Sequence, residues 1–282
     1  MSISSNSVFH HTSSRRKLSE ILNKQAFNVQ YSTEHIYVNN NTSIHIAVPM
    51  VSFCDIPLRD YKLFYRKSGK SKKSFELGYY GDYGIGLSKD WAIKNGLCPI
   101  IYLPKILEDI RKNNNSLLEE FVQFAQNKIP TKDLGTEFIN CPKLASFCKH
   151  YEGHLYHDDN SVQKYRFYNE REWRYVPRNI PVLWNFYNNS IDKLNGKENK
   201  KNKNKELIKS KQYLSFTIFD ITQIIVKSDD DILVVLKNLL IVKNEWINQN
   251  EIEYRQSKKS YDKKFDVLCT RITTTMQLLE DF

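Results

Sequence analysis

Apolar positions in this chain change their period several times, and each change marks an element. "SVFHHTS" (7–13) alternates briefly and then turns polar, which predicts a short strand. Directly after it, "SRRKLSEILNKQA" sets Leu18, Ile21 and Leu22 at helical spacing, with Ser13 or Ser14 as the cap. "SIHIAVPMVSFCDIPL" (43–58) is strand material with a proline-marked exit. "SFELGYYGDYGIGLSKDWAIKNG" (74–96) passes from a glycine-rich turn into a helix capped by Ser88 and ended by Gly96. "CPIIYLP" (98–104) reads as a strand, and "KILEDIRKNNNSLLEEFVQFAQNKI" (105–129) as the main helical region, interrupted by its asparagine run.

Further on, "KLASFCKHYEG" (143–153) and "QKYRFYNEREWRYVP" (163–177) alternate as neighbouring strands would. "YLSFTIFDITQIIVKS" (213–228) gives two more strand-like runs, and "DDDILVVLKNLLIVKNEW" (229–246) an amphipathic helix. From 247 the chain is polar apart from Val267–Leu268. Strands cluster towards both ends with helices between, and no repeat is visible. The order predicts one α+β domain over 1–246 and a polar C-terminal extension over 247–282.

With 282 residues, 40% hydrophobic and 13% aromatic, the chain has material for a sizeable core. The net charge of +10 points towards nucleic acid, but "KLNGKENKKNKNKELIKSKQ" (193–212) carries eight lysines against two glutamates and so supplies +6 of it. Such a run buries little apolar surface and predicts a solvated loop or disordered insertion. It makes nucleic acid a candidate partner through phosphate contacts alone, since no aromatics interleave. Five cysteines form no framework, the N-terminus has no apolar core of signal-peptide length, and the longest apolar run (232–242) is too short to span a bilayer and contains Lys237. These predict a cytoplasmic protein with reduced thiols and no membrane partner.

Four stretches carry candidate chemistry. Cys141, Cys148, His150, His154 and His157 lie close together, but their spacing is not that of paired zinc ligands, so no metal is expected. Gly81, Gly84 and Gly86 match neither a dinucleotide fingerprint nor a phosphate-binding loop. The aromatics around them (Tyr79, Tyr80, Tyr83, Trp91) are either core residues or a stack for a planar ring. In "FHHTSS", a histidine at a strand end precedes hydroxyls that open a helix, a pattern suited equally to sugar hydroxyls and to capping. In "YNEREWRY" (168–175), an unbroken strand would put Glu170, Glu172 and Arg174 on one face and Arg171, Trp173 and Tyr175 on the other. Two carboxylates on one face repel unless a cation keeps them ionised. Such a group suits either a charged sheet face or a carboxylate that supports an oxocarbenium-like transition state.

Taken in order, "FHHTS", "YGDYGIGLS" and "YNEREWR" resemble the ADP-ribosyltransferase-like fold, a split mixed sheet flanked by helices. The resemblance implies NAD as substrate and no metal. His10 and Thr12 match the opening His-x-Thr that holds ribose, with His11 in the glycine place, and Ser13 and Ser88 are candidate cofactor-binding residues beside these motifs. Gly86 stands where that family has its first tyrosine, leaving Tyr80, Tyr83 or Trp91 to stack nicotinamide. "YNE" matches one branch and selects Glu170; "EREWR" matches another and selects Glu172, the favoured catalytic residue. Over most of the chain, "VSFCDIPL", "YGDYGIGLSKDWAIKNGLCPIIYL", "CKHYEG" and "FYNEREWRYVP" resemble the AbiGi family of abortive phage-infection proteins. That family implies phage defence and a cognate partner, as the antitoxin beside a nucleotidyltransferase-like toxin. The expected function is therefore an anti-phage protein that transfers ADP-ribose to a macromolecule or cleaves NAD. The alternative is a non-catalytic antitoxin that neutralises the toxin or represses its operon.

Overall fold

The computed structural model describes residues 5–39, 42–61, 81–103, 146–157, 160–184 and 190–280. The helix expected over 105–129, the aromatics Tyr79 and Tyr80, and Cys141 lie outside the described residues.

Strand β1 (Ser7–Thr12) leads into helix α1 (Arg15–Lys24), whose N-cap is Ser14, its hydroxyl accepting from the Lys17 amide. Leu18 and Leu22 are the buried stripe of α1. Strands β2 (Ala26–Asn28), β3 (Gln30–Asn39) and β4 (Thr42–Cys54) follow, and a single 3-10 turn closes the exit after Pro57. Strand β5 (Tyr83–Ser88) ends on the Ser88 cap of helix α2 (Lys89–Lys94), and Gly96 turns the chain with a φ of 76°. "CPIIYLP" is two short strands, β6 (Cys98–Pro99) and β7 (Ile101–Leu103). Strands β8 (Cys148–His150), β9 (Gly153–His157) and β10 (Asn160–Tyr165) precede a 3-10 turn at Phe167–Glu170.

The expected single strand over 168–175 is broken by this turn. Arg171 takes a left-handed φ of 41°, and strand β11 begins only at Glu172, running to Tyr175. Glu170 is therefore not on the strand that carries Glu172.

Strand β12 (Leu183–Trp184) is followed by helix α3 (Ser190–Lys209), which corrects the loop expected over 193–212. Lysine and glutamate are good helix formers. The helix docks through a few contacts: Leu207 is buried, the Asn204 side-chain oxygen accepts from the Tyr31 amide at 2.7 Å, and Lys200 donates to the Thr33 hydroxyl at 2.9 Å. Strands β13 (Tyr213–Ser215) and β14 (Ile221–Val226) and helix α4 (Asp229–Gln249) follow. The tail read as a polar extension supplies helix α5 (Glu251–Cys269), strand β15 (Ile272–Thr274) and helix α6 (Thr275–Glu280). It buries Phe265, Leu268 and Leu278 and pairs β15 with β14.

The main sheet is mixed and runs β15-β14-β5-β1-β4-β11-β6, with β3 and β12 also on β4. Only β14–β15 is parallel in it. One face packs a large core from α1, α4 and α5 against Val8, Phe53, Ile85, Leu87 and Ile224. The other holds a smaller cluster of Phe9, Cys54, Ile56, Tyr61, Ile225 and Leu278. This is the expected α+β class with a mixed sheet. Strand β1 pairs with β5 along its whole length but with β4 only at Phe9–Cys54, so the two part company from His10 onwards.

Candidate functional site: a charged cleft where the sheet parts

A cleft of about 460 Å³ sits at this parting. Strand β1 supplies His10, His11 and Thr12, with Ser13 next to them; β3 supplies Ser32 and Glu34; and Lys149, Glu170 and Glu172 come from the opposite wall. The cleft thus gathers His10, Thr12 and Ser13 together with both candidate glutamates.

The glutamates are held in a chain of charges. Arg174 is fully buried; its Nε donates to Glu172 Oε1 at 2.6 Å, and one terminal nitrogen donates to Glu172 Oε2 at 3.0 Å and to Glu34 Oε1 at 2.8 Å. Its other terminal nitrogen donates to the Ser146 carbonyl at 2.7 Å. Lys149 donates to Glu172 Oε2 and to Glu170 Oε2, each at 3.0 Å, and the Tyr165 hydroxyl donates to Glu170 Oε1 at 2.9 Å. Three carboxyls thus face two cations. Burial works to raise the Glu172 pKa, but the charges of Lys149 and Arg174 and their hydrogen bonds outweigh it and hold the carboxyl well below its usual range. Burial raises Glu34, with Arg174 and Lys149 opposing. The Glu172 amide donates to the Tyr102 hydroxyl oxygen at 2.8 Å, which fixes the head of β11.

On the facing wall, His10 Nδ1 donates to the Ser52 carbonyl at 2.9 Å, leaving Nε2 as the ring's acceptor. Its ring lies against Phe27 and Phe53, and burial lowers its pKa, so it is neutral at pH 7. Burial, then the charge of His10, brings His11 down to about 3. Gly81 belongs to the rim because a Cβ there would meet the Thr12 carbonyl oxygen at 2.5 Å. The glycines of "YGIG" serve packing instead: a Cβ on Gly84 would meet the His11 ring at 2.9 Å, and one on Gly86 the Phe9 ring at 2.7 Å.

Three predicted ligand residues are elsewhere. The Tyr83 hydroxyl donates to Asp231 on α4, Trp91 is buried in the main core with its indole donating to the Ser215 carbonyl, and Ser88 caps α2. Strand alternation turns Tyr83 to the core with Ile85 and Leu87, and Trp91 follows the buried face of a short helix. Among the described residues, the phenyl rings lining the cleft are Phe9 and Phe53. Sequence reasoning missed Glu34, which stands in no motif, and Lys149, which lies inside "CKHYEG" between the cysteine and histidine weighed there as metal ligands; the pairing of β3 with β4 and the return of the chain at β8 bring them in.

The geometry defines an α+β mixed-sheet protein with a hydroxyl- and carboxylate-lined cleft. The chain belongs to the AbiGi family: the family model described as abortive phage resistance protein AbiGi, antitoxin, matches residues 25–227. It is also similar to an abortive phage resistance protein AbiGi of Lactococcus lactis subsp. cremoris, 30% identical over 145 residues, covering 46% of this chain and 51% of that protein. The chain thus spans about half the length of that relative. No solved structure matches it. Among the described residues, no helix is long and apolar enough to cross a membrane.

Proposed function

We propose that this chain is a phage-defence protein whose cleft takes NAD as substrate and acts at the bond between ribose and nicotinamide, transferring ADP-ribose to a macromolecular target or cleaving NAD. The observation that carries this is the convergence of His10, Thr12 and Ser13 with Glu170 and Glu172 in one cleft. A neutral imidazole and two hydroxyls suit the ribose hydroxyls. Glu172, kept ionised away from bulk water, suits the positive charge that grows on the ribose carbon as the glycosidic bond breaks. The opening of the sheet between β1 and β4 supports an ADP-ribosyltransferase-like reading of the fold.

A second reading rests on a different observation. Both Glu172 oxygens already accept from Arg174 or Lys149, and Tyr83 and Trp91 give the cleft no aromatic clamp. In that reading the chain is a non-catalytic antitoxin that binds and silences a nucleotidyltransferase-like toxin or represses its operon, as the antitoxin in the family description suggests.

Incubation with labelled NAD, with and without phage-infected cell extract, separates the two. The enzyme reading expects turnover or transferred label from the wild type and a loss of about 100-fold or more in Glu172→Gln, with a smaller loss in Glu170→Gln. No turnover under either condition leaves the antitoxin reading.

A further inference from the structure

We propose that the exposed lysines of α3, continued by Lys24 and Lys17 of α1, form a track for the phosphate backbone of a nucleic acid, ending at the rim of the cleft. This stands independently of what the cleft binds.

Helix α3 has two sides. Lys200, Asn204 and Leu207 are spaced i, i+4, i+7; the first two bond to β3 and Leu207 is buried in the main core. Lys201, Lys205 and Lys209, spaced i, i+4, i+8, project away and are exposed, so three ammonium groups recur about 6 Å apart along the axis. Among the described residues none of the three is in an ion pair, whereas Lys203 is engaged by Glu206. Glu198 is the acidic residue on that side, one turn before the first lysine.

The cations continue past the helix. The Tyr213 hydroxyl of β13 donates to the Ile208 carbonyl of α3 at 3.5 Å, and the ammonium of Lys24 lies 5.7 Å from the centre of the Tyr213 ring. Lys24 and Lys17 line a second pocket of about 330 Å³, which shares His10, His11, Thr12 and Ser13 with the cleft; Glu20, also in its lining, is paired with Arg16 at 3.6 Å. Lys17 reaches the Ser13 hydroxyl at 3.4 Å. Beyond that rim the wall carries Glu34, Glu170 and Glu172, which repel phosphate. The backbone is therefore held at the mouth of the cleft rather than inside it.

The chemistry favours nucleic acid over an acidic protein. A protein partner needs an apolar anchor at the centre of its interface. The only large apolar residue exposed on the described part of α3 is Ile208, at 37%. Phosphate neutralisation needs cations alone.

The test is fluorescence anisotropy of labelled single-stranded and duplex oligonucleotides with the full chain, across a salt series starting at about 50 mM. The wild type is expected to bind, with log affinity falling linearly against log salt. The triple variant Lys201→Gln, Lys205→Gln, Lys209→Gln is expected to lose about tenfold or more at the lowest salt and to lower the slope by about 2–3. The triple Lys→Arg variant is expected to keep both, and its retention guards against a folding artefact. Lys17→Gln with Lys24→Gln is expected to lower the slope separately. Absence of binding by the wild type at the lowest salt, or an unchanged slope in the Lys→Gln triple variant, overturns the proposal. Polyglutamate that competes as well as the oligonucleotide also overturns it, by assigning the track to an acidic protein. None of these substitutions touches Glu172 or His10, so NAD turnover reports on the cleft separately.

Discussion

Arg174 carries the largest burden of any single side chain in the cleft. It has no exposed surface, donates to two carboxylates and one carbonyl, and sits two residues after Glu172 on the same face of β11. Removing it leaves the buried Glu172 and the half-buried Glu34 with Lys149 as their remaining cation among the described residues, a state that costs about 3–5 kcal/mol. Arg174→Met should therefore lower the unfolding free energy by that amount, read as a lower urea midpoint with an unchanged m-value. That Glu172 needs a cation was legible from two glutamates and an arginine at alternating positions. That Lys149 shares the task was not, because it stands 23 residues earlier and nothing in "CKHYEG" points it at β11.

His11 makes a pH prediction at the same scale. Its pKa of about 3 in the fold lies below the unfolded value of about 6.5, so the unfolded chain takes up the proton first as pH falls. Its contribution is complete above about pH 6.5 and is lost as pH falls towards 3. Glu172 acts in the same direction only below its unfolded value of about 4.5, while the raised Glu34 opposes from above it. Comparing wild type with His11→Gln between pH 7 and 5 isolates the histidine. Urea unfolding should show the wild type losing about 2 kcal/mol more than the variant over that interval.

Among elements, α3 departs furthest from what its composition predicts. Its hydrophobicity is too low to mark a docked helix, and among its described residues one leucine, one asparagine and one lysine help to hold it. Leu207→Ala should cost about 2–4 kcal/mol by calorimetry, where a solvated loop would show no change. Strand β5 shows the converse. "YGDYGIGLS" drew notice because its glycines leave room, and they do, for Phe9 and His11 of β1 rather than for a ligand. Single-sequence spacing reveals that a backbone is approached closely; it does not reveal by what. "YNEREWRY" fails as one strand for a local reason, the left-handed Arg171, which no alternation pattern encodes.

At the scale of the whole molecule, the class was legible and the closure of the sheet was not. Period-2 and period-3.6 runs gave the α+β class, while β15, the parallel strand beside β14, lies in a tail with one visible apolar patch. The cleft arises from the parting of β1 and β4 after Phe9–Cys54, which brings β1, β3, β8 and β11 to one place although they are far apart in sequence. His10, Thr12, Ser13, Glu170 and Glu172 were named from short motifs and meet there. Tyr83, Ser88 and Trp91 were named from the same motifs and do not. The polar residues of the predicted site meet in the cleft; of its aromatics, Tyr83 and Trp91 lie in the core, Tyr80 lies outside the described residues, and Phe9 and Phe53 line the cleft. The central claim is that this cleft, not the scaffold alone, carries phage defence. Phage plaque counts test it most directly, on cells that carry the chain in its native gene context. The double variant His10→Ala, Glu172→Gln, present at wild-type abundance with an unchanged thermal melt, should lose protection; full protection by that variant would contradict the account.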